Sequence, residues 1–305
     1  MKRRPQFTIA SLLALMTVCS VLGSFFAVYR DRCERQQRAI DMIRGLGGKV
    51  STEVGGPDWL GVGLRRSFFR KVFYAQVAGS NIGDDELSCL GDVAVMESLE
   101  IRDTALTDAG LGFLNRQSNL HSLSLSGNRI TDEVVAHLAS NLELVDLDLS
   151  RTAITDAAIE RLPPCPSLLN LHLNDTAVTD RAMGFFAKFA GLLALDLAGT
   201  RITDAGLVDV MRAVPSVDIS VERTHVTDRG ILQIGGSRGL KALGVGGSMV
   251  TAAGLAEFQR LYPNVMAGDE VFDRPKGLKA MWPPLPAEED ADQCEVQGGA
   301  GNAKR

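Results

Sequence analysis

One aliphatic position recurs every 24 residues, and that spacing constrains the fold more than any other feature of the 305-residue chain. It runs Ile82, Leu106, Ile130, Ile154, Val178, Ile202, Val226 and Val250, without an insertion. Two residues later stand Asp84, Asp108, Asp132, Asp156, Asp180, Asp204 and Asp228, while the eighth copy carries Ala252. Four apolar columns keep the same step. They begin at Val77, Leu87, Leu90 and Leu99, and they end at Val245, Leu255, Phe258 and Leu243. A small polar column runs Ser80, Thr104, Asn128, Thr152, Thr176, Thr200, Thr224 and Ser248. Eight units of the form LxxLxLxxTxITDxxLxxL therefore fill residues 72–263.

Each unit changes period internally. LxL alternates, so it predicts a short strand with one buried face. ITDxxLxxL spaces its apolar residues by three behind Thr and Asp, which predicts a helix start, with either side chain able to accept free backbone N–H groups. The aspartate also suits the positive end of the helix. One strand and one short helix cannot bury an apolar face alone, but stacked units can. Their strands then pair in parallel about 4.8 Å apart, giving a sheet roughly 38 Å long over eight units. Only 6% of residues are aromatic, so the core is aliphatic. The expected fold class is α/β: a solenoid of stacked strand-helix units with a parallel concave sheet.

These columns resemble the leucine-rich repeat family, in its longer-repeat form as in ribonuclease inhibitor and the F-box adaptor proteins, and the resemblance implies a right-handed horseshoe with convex helices. The resemblance covers about two-thirds of the chain. The family's Asn or Cys ladder position is mostly Thr here, and the resemblance implies the same role, a side chain inside the turn bonding neighbouring backbone amides. The whole chain also resembles bacterial membrane-anchored leucine-rich repeat proteins. That likeness rests on the basic start, one apolar segment, Ala39-Ile40-Asp41-Met42-Ile43-Arg44-Gly45-Leu46-Gly47-Gly48 and Gly56-Pro57-Asp58-Trp59-Leu60.

Residues 1–29 read as a basic segment and a transmembrane anchor. Phe7 to Tyr29 is a run of 23 residues without a charge. As a helix it spans about 34 Å, enough for a hydrocarbon core of about 30 Å. Lys2, Arg3 and Arg4 precede it; Arg30, Arg32, Arg35 and Arg38 follow. A cleaved signal peptide is the competing reading, but its apolar stretch is about 7–15 residues long, and Val21-Leu22-Gly23 is a poor cleavage match. A lipid-modified Cys19 would need a small residue where Val18 stands. The short basic start points to a cytoplasmic N-terminus, an inner-membrane location and an extracytoplasmic repeat body, although Lys and Arg on the two sides nearly balance. Residues 30–71 are expected to form a juxtamembrane helix and an N-terminal cap plugged by Trp59, Phe68 and Phe69. Residues 264–305 lose the period. Their end is rich in Pro, Gly and acid and is expected to be a disordered tail, after a stretch to about Trp282 that covers the last repeat.

Charge and motifs exclude several functions. The net charge of −5 argues against nucleic-acid binding. Five cysteines without a CxxC pair exclude a dense disulfide framework and a zinc ribbon. A repeated aspartate column does a structural job, whereas a catalytic pair would stand out from its repeat. Gly244-Val245-Gly246-Gly247 and Gly45-Leu46-Gly47-Gly48 lack the strand-turn-helix unit of a phosphate loop. His121, His137, His172 and His225 lack metal spacing and fall mostly at solvent-facing positions. No catalytic residue, metal or cofactor is expected.

The functional signal is positional. Side chains between and after the strand leucines point into the concavity, and the middle of that surface is mostly acidic. The expected partner-binding residues are Asp146, Asp148, Arg151, Asn170, His172, Asn174, Asp175, Asp196, Asp218 and Glu222. They predict a membrane-tethered scaffold that docks a protein or peptide, favouring a basic one, with residues 7–29 in the bilayer and no catalysis. Removing Asp146, Asp148 and Asp196 to Ala is expected to leave the fold intact. A substrate-recruiting adaptor, or an enzyme with a site outside the repeats, stays open as an alternative.

Overall fold

The computed structural model describes residues 9–54, 70–93, 96–139, 141, 143–214, 217–237 and 239–268. Ten strands form one sheet in chain order. Strand β1 (Lys49–Val54) pairs antiparallel with β2 (Arg70–Ala78). From there every pairing is parallel: β3 (Ser98–Arg102), β4 (Ser122–Ser124), β5 (Asp146–Asp148), β6 (Asn170–His172), β7 (Ala194–Asp196), β8 (Asp218–Ser220), β9 (Ala242–Gly244) and β10 (Met266–Gly268). The register steps by 24, so Leu99, Leu123, Leu147, Leu171, Leu195, Ile219 and Leu243 stand in a row. All are buried, in a single core that runs from Ala39 to Ala267. The sheet continues one strand beyond the expected array. Met266 pairs with Ala242, and buried Ala267 takes the leucine position, a substitution that hides the period from a search for leucine.

The helical segments are short, and some are 3-10 turns, notably Asp108–Arg116 and Asp180–Lys188. Leu111 and Leu114, or Met183 and Phe186, share one side at three residues per turn, but Leu207 and Val210 keep the same spacing in an α-helix, so spacing alone does not select the turn. Gly112 and Gly184 weaken the α alternative.

The aspartate column does something the sequence pattern only half suggests. Thr155, Thr179, Thr203 and Thr251, not the aspartates, cap their own helices. Each aspartate instead reaches forward 23 residues to the threonine of the next coil. Asp84, Asp108, Asp132, Asp156, Asp180, Asp204 and Asp228 hold Thr107, Thr131, Thr155, Thr179, Thr203, Thr227 and Thr251. One carboxylate oxygen accepts the backbone N–H at 2.7–3.1 Å. The other accepts the hydroxyl at 2.6–2.8 Å. Ala252 lies in the last coil, beyond which no further threonine column follows in the sequence. The clamp also fixes a small-residue position: a Cβ on Gly206 would lie 2.1 Å from Asp180 Oδ1, and one on Gly254 2.0 Å from Asp228 Oδ1.

The threonine ladder bonds neighbouring backbone, and two of its members accept amides as expected: Leu106 N–H donates to Thr104 Oγ1 at 3.2 Å and Val226 N–H to Thr224 Oγ1 at 3.4 Å. Thr152, Thr176, Thr200 and Thr224 donate to a carbonyl three residues back in their own coil, at 2.5–2.6 Å. These four hydroxyls bond within their own coil. Asn128 spans two coils, accepting from Thr104 N and Oγ1 and donating to Ile101 O and Leu125 O.

At the N-terminal end, helix α1 (Ile9–Gly45) is continuous, and Gln36, Ala39, Ile40 and Ile43 are buried where it meets the repeats. These residues and β1 cover the first coil. The expected plugs Trp59, Phe68 and Phe69 lie outside the described residues, as do most of the expected tail and the start of the Phe7–Tyr29 run. Among the described residues no helix is long and apolar enough to cross a membrane. The part of α1 that is described carries the charges of Arg30 to Arg44. The glycine run 45–48 is a turn: Gly47 has φ +79°, and a Cβ on Gly48 would lie 2.6 Å from Gln76 O.

Asp180→Ala should lower stability by about 1–3 kcal/mol, because it leaves the Thr203 N–H without its acceptor. Asp180→Asn should lose less, since its carbonyl oxygen still accepts that N–H. Ala252→Asp should change stability little, within about 0.5 kcal/mol. Urea unfolding of the three variants checks this order.

Candidate functional site

Because side chains alternate along a strand, the residues on either side of each buried leucine share the open face of the sheet. Register aligns them into two rows. One runs Tyr74, Ser98, Ser122, Asp146, Asn170, Ala194, Asp218 and Ala242. The other runs Gln76, Glu100, Ser124, Asp148, His172, Asp196, Ser220 and Gly244. Six of the ten expected residues, Asp146, Asp148, Asn170, His172, Asp196 and Asp218, thus stand together on strands β5 to β8. Arg151, Asn174, Asp175 and Glu222 lie in the turns that follow.

Several of these carboxylates also hold the fold. Asp148 accepts from Ser124 Oγ at 2.9 Å and from Ser150 N at 3.0 Å, and Arg102 Nη2 lies 3.8 Å away. Asp196 accepts from Ala198 N at 3.0 Å. Asp218 accepts from Lys241 N and Ala242 N, both at 2.9 Å. Replacing Asp148 or Asp196 by Ala would therefore release a backbone N–H, contrary to the expectation that the alanine variants leave the fold untouched. Asn preserves that acceptor and removes the charge.

His172 sits among acids. Its Nδ1 is 4.0 Å from Asp196 Oδ2, and Asp146 and Asp148 lie one strand away. Burial pushes the imidazole pKa down, but Asp196, Asp146 and Asp148 outweigh it and leave the value raised. For Asp148, burial pushes the carboxyl up, yet the bonds from Ser150 and Ser124 and the nearby His172 hold it below the usual range. His172 is only partly exposed, and His121 and His137 are half-buried rather than solvent-facing; His225 is exposed. At the N-terminal end the face includes an aromatic residue that the leucine pattern does not reveal. Tyr74 is buried, and burial followed by the Glu100 carboxylate pushes its hydroxyl up to about 12.

The turns have a regular geometry of their own. Gly79, Asp103, Gly127, Arg151, Asp175, Gly199, Arg223 and Gly247 occupy one column, and all have positive φ. Gly247 explains the last glycine run as a turn residue. Arg151 reaches back across Gly127 to Asp103 at 3.0 Å, and Arg223 reaches across Gly199 to Asp175 at 3.1 Å. So Arg151 and Asp175 pair along the turn edge, 48 residues from their partners, instead of standing alone. The sequence signal is an Asp-Gly-Arg series repeated after 72 residues. A recess of about 400 Å³ opens beside this edge, lined by Asn174, Asp196, Ala198, Ser220, Glu222, Arg223, Gly246 and Gly247. Among the described residues no three His, Cys, Asp or Glu side chains are grouped so as to hold a metal ion.

The leucine-rich repeat family profile matches residues 116–135 and 192–211. Together with the 24-residue register of the strands, these matches support a leucine-rich repeat protein. Among curated proteins none matches. Internalin C2 from Listeria monocytogenes is similar in structure at 19% identity, covering 61% of this chain and 77% of that one, with a TM-score of 0.44. A plant ice-binding protein is similar at 18% identity, covering 65% and 64%, with a TM-score of 0.44. Internalin F from Listeria monocytogenes is similar at 18% identity, covering 64% and 59%, with a TM-score of 0.41. At these scores the fold assignment rests on the repeat register and on the family match.

A raised folded-state pKa means that protonated His172 stabilises the fold below about pH 6.5, and that this contribution is lost as pH rises through the folded value. NMR titration of His172 should give a pKa above 6.5, and Asp196→Asn should lower it. A separate test concerns the turn column. Gly199→Ala should cost about 1–2 kcal/mol, given φ +66° and a Cβ 2.1 Å from Asp175 Oδ1; thermal unfolding measures it.

Proposed function

We propose that this protein is a non-catalytic, membrane-tethered scaffold that docks a protein or peptide partner on the open face of its sheet. The observation that carries this reading is the array of Asp146, Asp148, Asn170, His172, Asp196 and Asp218 on one face of four adjacent strands. No neighbouring element of the chain is paired with that face among the described residues. The acidic balance favours a basic partner, and charge complementarity steers encounter and excludes competitors. Glu222 and Asn174 extend the surface to the recess, while Arg151 and Asp175 supply its paired rim.

Tethering is supported by the uncharged run 7–29 and its basic flanks. It is also supported by the exposure of Met16, Val18, Val21, Phe26 and Val28 along α1. A helix with such side chains outward is stable in lipid and unfavourable in water. The basic start favours a cytoplasmic N-terminus, with the repeats on the outer side of the inner membrane.

The full-length protein and an Asp146→Asn/Asp148→Asn/Asp196→Asn variant should fold alike but differ in partner recovery after cross-linking in native membranes. We expect at least about tenfold loss in the variant, matching 1.4 kcal/mol or more of lost charge-assisted contact. Equal recovery contradicts the reading. Protease treatment of intact cells and of spheroplasts should digest the repeats once the outer side of the inner membrane is reached.

A further inference from the structure

Asn170 lies at the centre of the acidic face and is only 1% exposed. Neither its amide oxygen nor its amide nitrogen has a hydrogen-bond partner. A buried amide left so is costly, because it has given up water without gaining another partner. Its surroundings are defined by register. Asp146 stands beside it on β5, and Ala194 stands beside it on β7, with Asp218 one strand further. Ala194 carries only a methyl group, so the row offers no polar partner between Asn170 and Asp218. His172 and Asp196 occupy the neighbouring row, 4.0 Å apart.

The two halves of the amide ask for different things. The oxygen needs a donor and sits among carboxylates, so the donor is a cation. The nitrogen needs an acceptor, which a bare metal ion or a free amine cannot supply. A cationic side chain on a peptide satisfies both, because the peptide's own carbonyl oxygen can accept from Nδ2. Between the two cationic side chains, a guanidinium suits this place better than an ammonium. It is planar, less strongly hydrated, and presents several donors in a fixed fork. One edge can meet Asn170 Oδ1 while another meets the Asp146 or Asp196 carboxylate.

We propose that Asn170 is the floor of a subsite for one arginine side chain of a peptide partner, bounded by Asp146 and Asp196. This rests on the reading that the open face is the docking surface. Seating the guanidinium requires a rotamer change in a flanking side chain, the commonest adjustment at interfaces that are otherwise preformed.

The test uses the full-length chain in detergent micelles and a fluorescent peptide with one arginine among glycine and serine. Matched peptides carry lysine or the uncharged isostere citrulline. The arginine peptide should bind best, and the citrulline peptide at least about tenfold more weakly. Asn170→Ala should weaken the arginine peptide by about tenfold or more while leaving the circular dichroism unchanged. In the wild type, the Asn170 side-chain amide resonances should shift with arginine and not with citrulline, a readout that needs no variant. If Asn170→Ala binds like wild type while Asp146→Asn/Asp196→Asn is weakened, the face binds cations but the subsite is refuted. If citrulline matches arginine, the subsite is refuted as well. If no peptide binds, or the aspartate variant binds as well as wild type, the reading of the face itself falls.

Discussion

The contact on which the rest depends is the hydrogen-bonded clamp between an aspartate and the threonine of the next coil. Parallel strands of three residues give each coil only a few ladder bonds, and isolated coils cannot bury their leucines. The aspartate adds two charge-assisted bonds from each of seven coils to its successor, one to a backbone N–H and one to a hydroxyl. It does so at the start of the helical segment, away from the strand. Each coil is therefore tied to the next at both edges, by the sheet and by the carboxylate. The residue spacing cannot drift without breaking one of the two, which accounts for a period of 24 without insertion from Ile82 to Val250.

The architecture was legible because buried positions repeat. Leucine columns, the strand-to-helix change of period and the need for stacking are all properties of the linear pattern. What the pattern hid were contacts between coils whose donor and acceptor lie 23 or 48 residues apart. Asp180 looks like a helix cap from its neighbours, since a threonine-aspartate pair before an apolar run has that form, and only three-dimensional register shows that it serves Thr203. The pairing of Arg223 with Asp175 was hidden for the same reason. So was the tenth strand, where Ala267 stands in for leucine.

The candidate surface was legible to a lesser degree. Alternation groups Asp146, Asp148, His172, Asp196 and Asp218 on one side of the strands. It did not show which carboxylates have structural work as well. Asp148 and Asp196 each accept a backbone N–H two residues ahead, fixing the turn that follows the strand. Nor did alternation show that Asn170 is buried without a partner while Asp146 and Asp218 in the same row keep some exposure. Charge on this face thus has two sources, one that fixes turns and one left over for a partner, and only the second is available to recognition.

The most direct test of the account is amide hydrogen exchange at Thr203 in the wild type and in Asp180→Ala, read residue by residue. The account predicts a protected Thr203 N–H in the wild type and a selective loss of that protection in the variant, with the amides of the neighbouring strands β7 and β8 still slow. Equal protection of Thr203 in both proteins would contradict it, because the carboxylate would then not be what joins one coil to the next.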